Sequence, residues 1–393
     1  MAKYKVVIVG GGFGGIKAAL KLCKNHKFEV TLISDHPDFR YYPTLYETAT
    51  GRRGSISSIP LKEIFSRLPI NLVQATAENV DRHNRTITTT DKTVINYDAL
   101  ILALGVKTNY FHIEGLEEYS YGIKSQDDAQ RLKDHLHKQI IEDKKPDLNY
   151  VIVGGGPTGI ELAGVLPHYI RKIMKSHDIE STNIHVDLVE AAPRLLPRSS
   201  KKLSKKVTNH LTKLGIKVMV GAAVQAESAD TLTVNRKPIR SHTVIWTAGV
   251  TNNPFYSENN FQLSDKGKVR VDQYLQAEPG IYVIGDNADT PFSGMAQTAI
   301  HDGNYIADNL IRMISKKTPK IYKAKRPIYV FSAGDNWAAV DWSGIEFFGI
   351  LGNWIRRLAD LDGFHNYEPL KLAAGKLVQE YENEENCTIC TKK

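Results

Sequence analysis

Cysteine is scarce in this sequence: three of 393 residues, Cys23, Cys387 and Cys390. That excludes a disulfide framework, and the uneven placement offers neither a Cys-rich metal site nor a mid-chain pair for dithiol chemistry. Long apolar runs are missing too. None reaches the ~18 to 20 residues that a membrane-crossing helix requires, so no transmembrane segment is expected. A secretory leader is not expected either, because Met1 to Lys5 lead straight into Val6-Val7-Ile8-Val9 and then into glycines. With so little cysteine, a reducing cytoplasmic setting is the expectation. Acidic residues are the minority charge, 43 against 51 Lys and Arg, leaving a net +8. Acidic small molecules, nucleic acid and anionic membrane surfaces all suit that balance. No nucleic-acid-binding module accompanies it, which removes nucleic acid from the partner classes. At ~150 residues per domain the length implies two or three domains.

What the chain has in duplicate is a glycine-rich unit. Residues 4–20 read YKVVIVGGGFGGIKAAL and residues 150–166 read YVIVGGGPTGIELAGVL. In each, a β-branched apolar run suited to a strand buried on both faces leads into GxGxxG and then into helical spacing. Gly10, Gly12 and Gly15, like Gly154, Gly156 and Gly159, have separate tasks. The first allows a tight turn, the second lets backbone approach a pyrophosphate, and the third lets helix pack on strand. The helix N-terminal N–H groups then face the phosphates. A second strand follows each unit and ends in an acid: Phe28 to Ile33 with Ser34-Asp35, and His185 to Val189 with Glu190. Such an acid either reaches ribose hydroxyls or is a solvated carboxylate at a strand end. Glu190 would repel a 2′-phosphate, while Arg194 and Arg198 just downstream would attract one. A later apolar run, Ile281 to Ile284, ends in Gly285-Asp286.

Toward the C-terminus, Lys316, Lys317, Lys320, Lys323, Lys325 and Arg326 form a basic run with no acid among them. Between Ser343 and Phe364, Phe347, Leu351, Trp354, Leu358 and Leu361 recur at spacings of 4, 3, 4 and 3, widened by Phe348, Ile350 and Ile355. Glu346, Asn353, Arg356, Arg357 and Asp360 take the other side, so an amphipathic helix is expected across this stretch. Its apolar face with a Trp and nearby cations suits an anionic membrane surface, and packing on the chain's own core or on a second copy is the alternative. A second helical stretch is expected from about Pro369 to Tyr381, before an acidic tail carrying Cys387 and Cys390. The pairs Lys201-Lys202 and Lys205-Lys206 read as solvated helix faces.

Taken together, the two Rossmann units, Gly285-Asp286, YDALILALG (97–105) and VIWTAG (244–249) resemble the two-dinucleotide-binding flavoproteins. Within them the chain is most similar to the type II NADH dehydrogenases, single-chain NADH:quinone oxidoreductases. PTLYETATG (43–51), IEGLEE (113–118), VDLVEA (186–191) and MAQTA (295–299) extend the resemblance over nearly the whole chain. It implies an α/β fold with two Rossmann-like domains plus a C-terminal module with amphipathic helices. The FAD domain would comprise 1–112 and 250–315, the NADH domain 113–249, and a membrane-docking or dimerisation module 316–393. Non-covalent FAD would be held by Gly10, Gly12, Phe13, Gly14, Gly15, Ser34, Asp35, Pro43, Ala77, Ala103, Gly105, Gly285, Asp286, Ala296 and Gln297. NADH would be held by Gly154, Gly156, Pro157, Thr158, Gly159, Glu161, Glu190, Ala248 and Gly249.

The resemblance also implies roles. Glu161 would orient the nicotinamide or relay a proton, unless it is only a first-turn carboxylate serving the helix dipole. Gln297 and His301 would face a quinone; His301 stands where the family has a second Gln, and near neutral pH it could also deliver a proton. The implied activity passes hydride from NADH to FAD and two electrons to a quinone without proton pumping, in a protein peripheral on the inner face of the cell membrane. Two readings compete with it. One is an NADH-dependent reductase of a soluble acceptor, a ferredoxin-like protein or small molecule, with the C-terminal helices forming a homodimer interface. The other is a non-enzymatic, flavin-bearing NADH sensor.

Overall fold

The computed structural model describes residues 2–52, 54–180 and 184–379; the CxxC of the tail, Cys387 and Cys390, lies outside them. The strand Tyr4–Val9, buried from Val6 onward, pairs in parallel with Phe28–Ser34 on one side and Ala99–Leu102 on the other. Six strands result, in the order 276–278, 281–283, 99–102, 4–9, 28–34, 71–74. A second sheet holds five parallel strands: Tyr121–Gly122, Thr243–Trp246, Asn149–Val153, His185–Glu190 and Ile216–Val220. The helix Phe13–Leu22 follows the first strand of one unit and Pro157–Ser176 the first strand of the other. This is the α/β class with two Rossmann-like units expected from the repeated motif.

The chain passes between the two sheets twice, and the passing segments Val106–Thr108 and Val250–Asn252 pair antiparallel. The first sheet therefore contains strands from both sides of the second. In the first unit two helices touch backbone to backbone. A Cβ on Gly14 would stand 2.9 Å from the Ala299 carbonyl, and one on Gly303 only 2.3 Å from the Gly14 carbonyl. The helix Ala296–Ile314 can thus lie directly on Phe13–Leu22.

The C-terminal region is stitched to both units. A three-stranded antiparallel sheet, Tyr329–Ser332, Ala338–Trp342 and Ile345–Gly349, puts Phe331, Ala333 and Ala339 into the core of the second unit. The helices Ile350–His365 and Leu370–Gln379 put Phe364, Tyr367 and Ala373 into the core of the first. The helix expected from Ser343 begins only at Ile350. Ser343 and Gly344 both take positive φ, 54° and 95°, which makes a two-residue hairpin turn. Phe347 and Phe348, with their preference for extended backbone, continue it as a strand.

The orientation of that helix also reverses the ordinary rule that the apolar stripe faces the core. Leu351, Trp354 and Leu358 are 57%, 62% and 64% exposed, whereas Asn353 and Asp360 are buried. The polar side points into the protein.

Candidate active site

Each glycine turn is built as the motif demands. Gly10 and Gly154 take φ of +115° and +117°. A Cβ on Gly10 would lie 2.1 Å from the Ala103 carbonyl oxygen, and one on Gly154 2.8 Å from the Ala248 amide nitrogen. Cβ atoms on Gly15 and Gly159 would strike the carbonyls of Gly10 and Gly154. By contrast, among the described residues Cβ atoms on Gly12, Gly156 and Gly105 would meet nothing within 4 Å. Gly12 and Gly156 are the N-caps of the helices Phe13–Leu22 and Pro157–Ser176, and neither helix has a side-chain cap. Pro157 and Thr158 open the second helix. The first-turn amides therefore face open space that a side chain would otherwise fill, which suits an anionic phosphate group.

These glycines separate two kinds of substitution. Gly12→Ala and Gly156→Ala are expected to leave thermal stability nearly unchanged, while weakening dinucleotide retention by about tenfold or more, since the added methyl occupies the cradle. Flavin content after gel filtration checks the first, and KM for the reductant checks the second. Gly15→Ala is expected to fail as a folded protein.

Around the first turn, Ser34 is buried and its hydroxyl accepts from the His36 N–H at 3.3 Å. The Asp35 carboxylate is exposed, 3.4 Å from the His36 ring. Phe13 belongs to an aromatic cluster with Phe39, Tyr41 and Tyr367, and its carbonyl accepts the Tyr367 hydroxyl. Ala77, itself buried, opens the strand Ala77–Asp81, and Pro43 lies in the turn Tyr42–Thr44. Lys124 reaches over the Tyr42 ring. Burial raises the Asp286 carboxyl above its ordinary range, with Lys124, Lys268 and the Gly294 N–H opposing.

Two residues that the motif reading passed over hold this region. Asn287, fully buried, grips Gly105 from both sides: its Nδ2 donates to the Gly105 carbonyl at 2.7 Å and its Oδ1 accepts the Gly105 N–H at 2.8 Å. Asp302 accepts the Gly285 N–H at 3.0 Å and the Tyr322 hydroxyl at 2.6 Å, and burial pushes its carboxyl up to about 6. Both stand one place after residues already singled out, Asp286 and His301, and that adjacency was the available signal.

In the second unit, Glu190 accepts the Gly155 and Ala192 amides, each at 2.6 Å, so its carboxylate braces the glycine turn. Arg194 is tied to the carbonyls of Leu196 and Pro197. Gly249, at φ +75°, abuts the Phe111 ring. Gln297 and His301 lie on one face of the helix Ala296–Ile314, and both hold the strap that follows it. The Gln297 amide donates to the Ile328 carbonyl and accepts its N–H, and His301 Nε2 pairs with the Lys323 carbonyl at 2.9 Å.

Glu161 is brought to a cluster drawn from three parts of the chain. Glu47, from the helix Leu45–Ala49, accepts the Tyr46 hydroxyl at 2.8 Å and the Arg356 guanidinium at 2.6 Å. Arg356 Nε lies 3.2 Å from Asp360. Burial pushes the Glu161 carboxyl up to about 8 and that of Asp360 to about 6; Arg356 lowers both, without cancelling the burial. A cavity of about 400 Å³ adjoins the cluster, lined by Glu47, Arg52, His168, Tyr169, Lys172 and Arg356 among others. Sequence spacing placed Arg356 and Asp360 on the side of the helix away from its apolar stripe; that side turns out to be the inner one.

Two sheets, one parallel throughout and the other parallel but for its edge strand 276–278, each opening on an uncapped glycine turn and joined by paired crossovers, define a protein of the dinucleotide-binding class. The chain belongs to the pyridine nucleotide-disulphide oxidoreductase family, which it matches over residues 4–303. Among the described residues the one cysteine, Cys23, is buried with its thiol on the Leu20 carbonyl. The chain is 29% identical to a type II NADH:quinone oxidoreductase of Mycobacterium tuberculosis, over 92% of this chain and 85% of that one. It is 28% identical to the type II NADH:quinone oxidoreductase of Staphylococcus saprophyticus, over 78% and 81%. Its fold matches the structure of NDH2 from Plasmodium falciparum in complex with NADH, with a TM-score of 0.86, 19% identity, and 96% and 97% of the two chains covered.

Proposed function

We propose that this protein is an FAD-dependent NADH:quinone oxidoreductase that transfers two electrons without pumping protons. The observation that carries the reading is the pair of open glycine cradles, Gly12 and Gly156, with the half-buried acid Glu161, its carboxyl held up to about 8 by desolvation, one turn into the second helix. The mycobacterial and staphylococcal relatives bear the same activity in their names. Residues 1–112 and 250–315 would hold FAD without a covalent bond, and 113–249 would hold NADH. Bound FAD supplies the group that accepts hydride from NADH and returns electrons to the quinone.

The chain's own residues bind, orient and supply protons. The Gly12 and Gly156 cradles take the two pyrophosphates. Asp35, the exposed acid at the end of its strand, is better placed than buried Ser34 to meet a ribose, and Asp286 would hold the ribityl hydroxyls. Glu190 keeps the second turn in shape and disfavours a 2′-phosphate, so NADH is the preferred reductant. Glu161, protonated at neutral pH, holds a transferable proton where nicotinamide and acceptor meet. On the acceptor side, Gln297 has both amide atoms committed to the strap. His301 Nδ1 is then the polar atom of this pair left for the acceptor: with Nε2–H given to the Lys323 carbonyl, Nδ1 of the neutral ring accepts a quinol hydroxyl, and it donates to a quinone carbonyl only when the ring is protonated.

Among the described residues no helix is long and apolar enough to cross a membrane. The outward stripe of Leu351, Trp354 and Leu358, with exposed Leu370, Leu372 and Val378, supports peripheral docking on the inner face of an anionic membrane. Stopped-flow absorbance tests the whole reading: NADH should bleach the bound flavin rapidly and a quinone should restore it. Bleaching that only a soluble acceptor reverses would replace quinone by that acceptor, and a stable NADH complex without bleaching would make the protein a sensor.

A further inference from the structure

A second concavity, of about 470 Å³, lies between the helix Lys201–Lys213 and the C-terminal sheet, away from the glycine turns. Lys206, His210 and Lys213 line it from the helix; Trp337, Phe348 and Gly349 line it from the sheet. The helix contains no acid. Lys206 and Lys213 are exposed, and among the described residues neither is paired with a carboxylate. Lys202, on the same stripe, is already engaged: it sits 3.3 Å from Glu346 and over the Phe348 ring.

The aromatic wall is rigid. The His210 imidazole lies flat on Trp337, 4.1 Å away at 7°, with its Nε2 fixed by the Ala333 carbonyl at 3.0 Å. Burial and Lys213 lower the His210 pKa, so the two lysines carry the positive charge. The residue after Gly349 is Ile350, 71% exposed, the first of the outward stripe continued by Leu351, Trp354 and Leu358. The cationic pocket therefore borders the apolar face directly. A face laid into a bilayer interface brings such a border to headgroup depth, where Trp rings and lysines are favoured.

We propose that this pocket takes the phosphodiester headgroup of an anionic phospholipid, with Lys206 and Lys213 pairing to the phosphate and the Trp337–His210 stack forming the wall. The proposal rests on the membrane-docking reading above and adds headgroup selection to it. Lys206, read from sequence as part of a solvated face, thereby acquires a ligand.

Co-sedimentation of the full-chain holoenzyme with vesicles tests it, comparing phosphatidylcholine alone with phosphatidylcholine mixed with phosphatidylglycerol. The wild type should bind the mixed vesicles more tightly. The Lys206→Gln/Lys213→Gln variant should lose about fivefold in affinity per lysine on mixed vesicles, and nothing on neutral ones. Lys201→Gln/Lys205→Gln, outside the pocket, should lose clearly less. Equal losses from both pairs overturn the pocket in favour of diffuse attraction, and unchanged affinity in the Lys206/Lys213 variant overturns it outright. Either result leaves docking by the apolar stripe standing if Leu358→Gln still releases the protein from neutral vesicles. Failure of the wild type to bind any vesicle overturns both. Inorganic phosphate, which competes for the same two lysines, should displace the wild type from mixed vesicles better than an equal ionic strength of chloride; displacement no better than chloride's assigns the attraction to diffuse charge and overturns the pocket. NADH turnover with a soluble dye should be unchanged in every variant, which certifies the fold.

Discussion

Replacing Glu161 by glutamine is expected to lower quinone turnover by about 100-fold, while the rate at which NADH bleaches the flavin stays close to wild type. The carboxyl is held up to about 8 by burial, with Asp360 and Glu47 raising it and Arg356 and the Ser332 N–H lowering it. At neutral pH it is therefore protonated and can give a proton to a reduced acceptor. Glutamine keeps the shape and can still accept the Ser332 N–H, but it carries no transferable proton. The sign of the pH effect follows. Wild-type turnover should fall as the pH rises through about 8, because the donor is lost, and the variant should be flat over the same interval. Unchanged turnover with an unchanged pH profile would reduce Glu161 to a helix-dipole carboxylate. If the bleaching rate falls instead, orientation of the nicotinamide is its task.

Glu227→Gln is expected to stabilise the protein by about 2 to 4 kcal/mol at pH 8, an unusual direction for a buried substitution. Glu227 lies on the strand Val224–Ser228, and its backbone N–H bonds the Glu114 carbonyl at 2.9 Å. The side chain is buried, and among the described residues its Oε2 has no hydrogen-bond partner. Burial alone pushes its carboxyl from the ordinary 4.5 up to about 8. Between those two values the unfolded chain has released the proton and the folded chain retains it, so ionisation favours unfolding. Stability should therefore decline as pH rises from about 4.5 to 8, and the glutamine variant should lose that decline. Urea midpoints across this pH range measure the effect; a variant less stable than wild type at pH 8 would show that the carboxylate has a partner that stabilises it.

The parts of the site that were legible in the sequence are those whose physics is local. At Gly10 and Gly154 a positive φ and a 2 to 3 Å approach to neighbouring backbone admit no other residue. Two such turns behind β-branched strands could be read without coordinates. The side chains that shape the pocket were less legible. Asn287 grips Gly105 across 182 positions, and Arg356 meets Glu47 across 309. No periodicity within either segment encodes those meetings. Gln297 and His301 were singled out by the family resemblance, and their hydrogen bonds to the strap at 323 and 328 emerged only from the packing of that strap on the helix.

The same division runs through the C-terminal region. Spacing of Leu351, Trp354 and Leu358 was enough to define a stripe, because 3.6 residues per turn is a property of the helix itself. It could not say where the stripe points, nor that Phe347 and Phe348 leave the helix for a hairpin strand. The tertiary structure turned Arg356 and Asp360 inward, toward Glu47 and Glu161, and left the apolar stripe outside. It also decided the charge of Glu161 and Glu227, since desolvation depends on what distant segments lay over a carboxyl. By itself the sequence determined two dinucleotide turns and the chemistry they admit; burial, assembled from remote parts of the chain, decided which acids keep their protons and which face of the C-terminal helix lies outside.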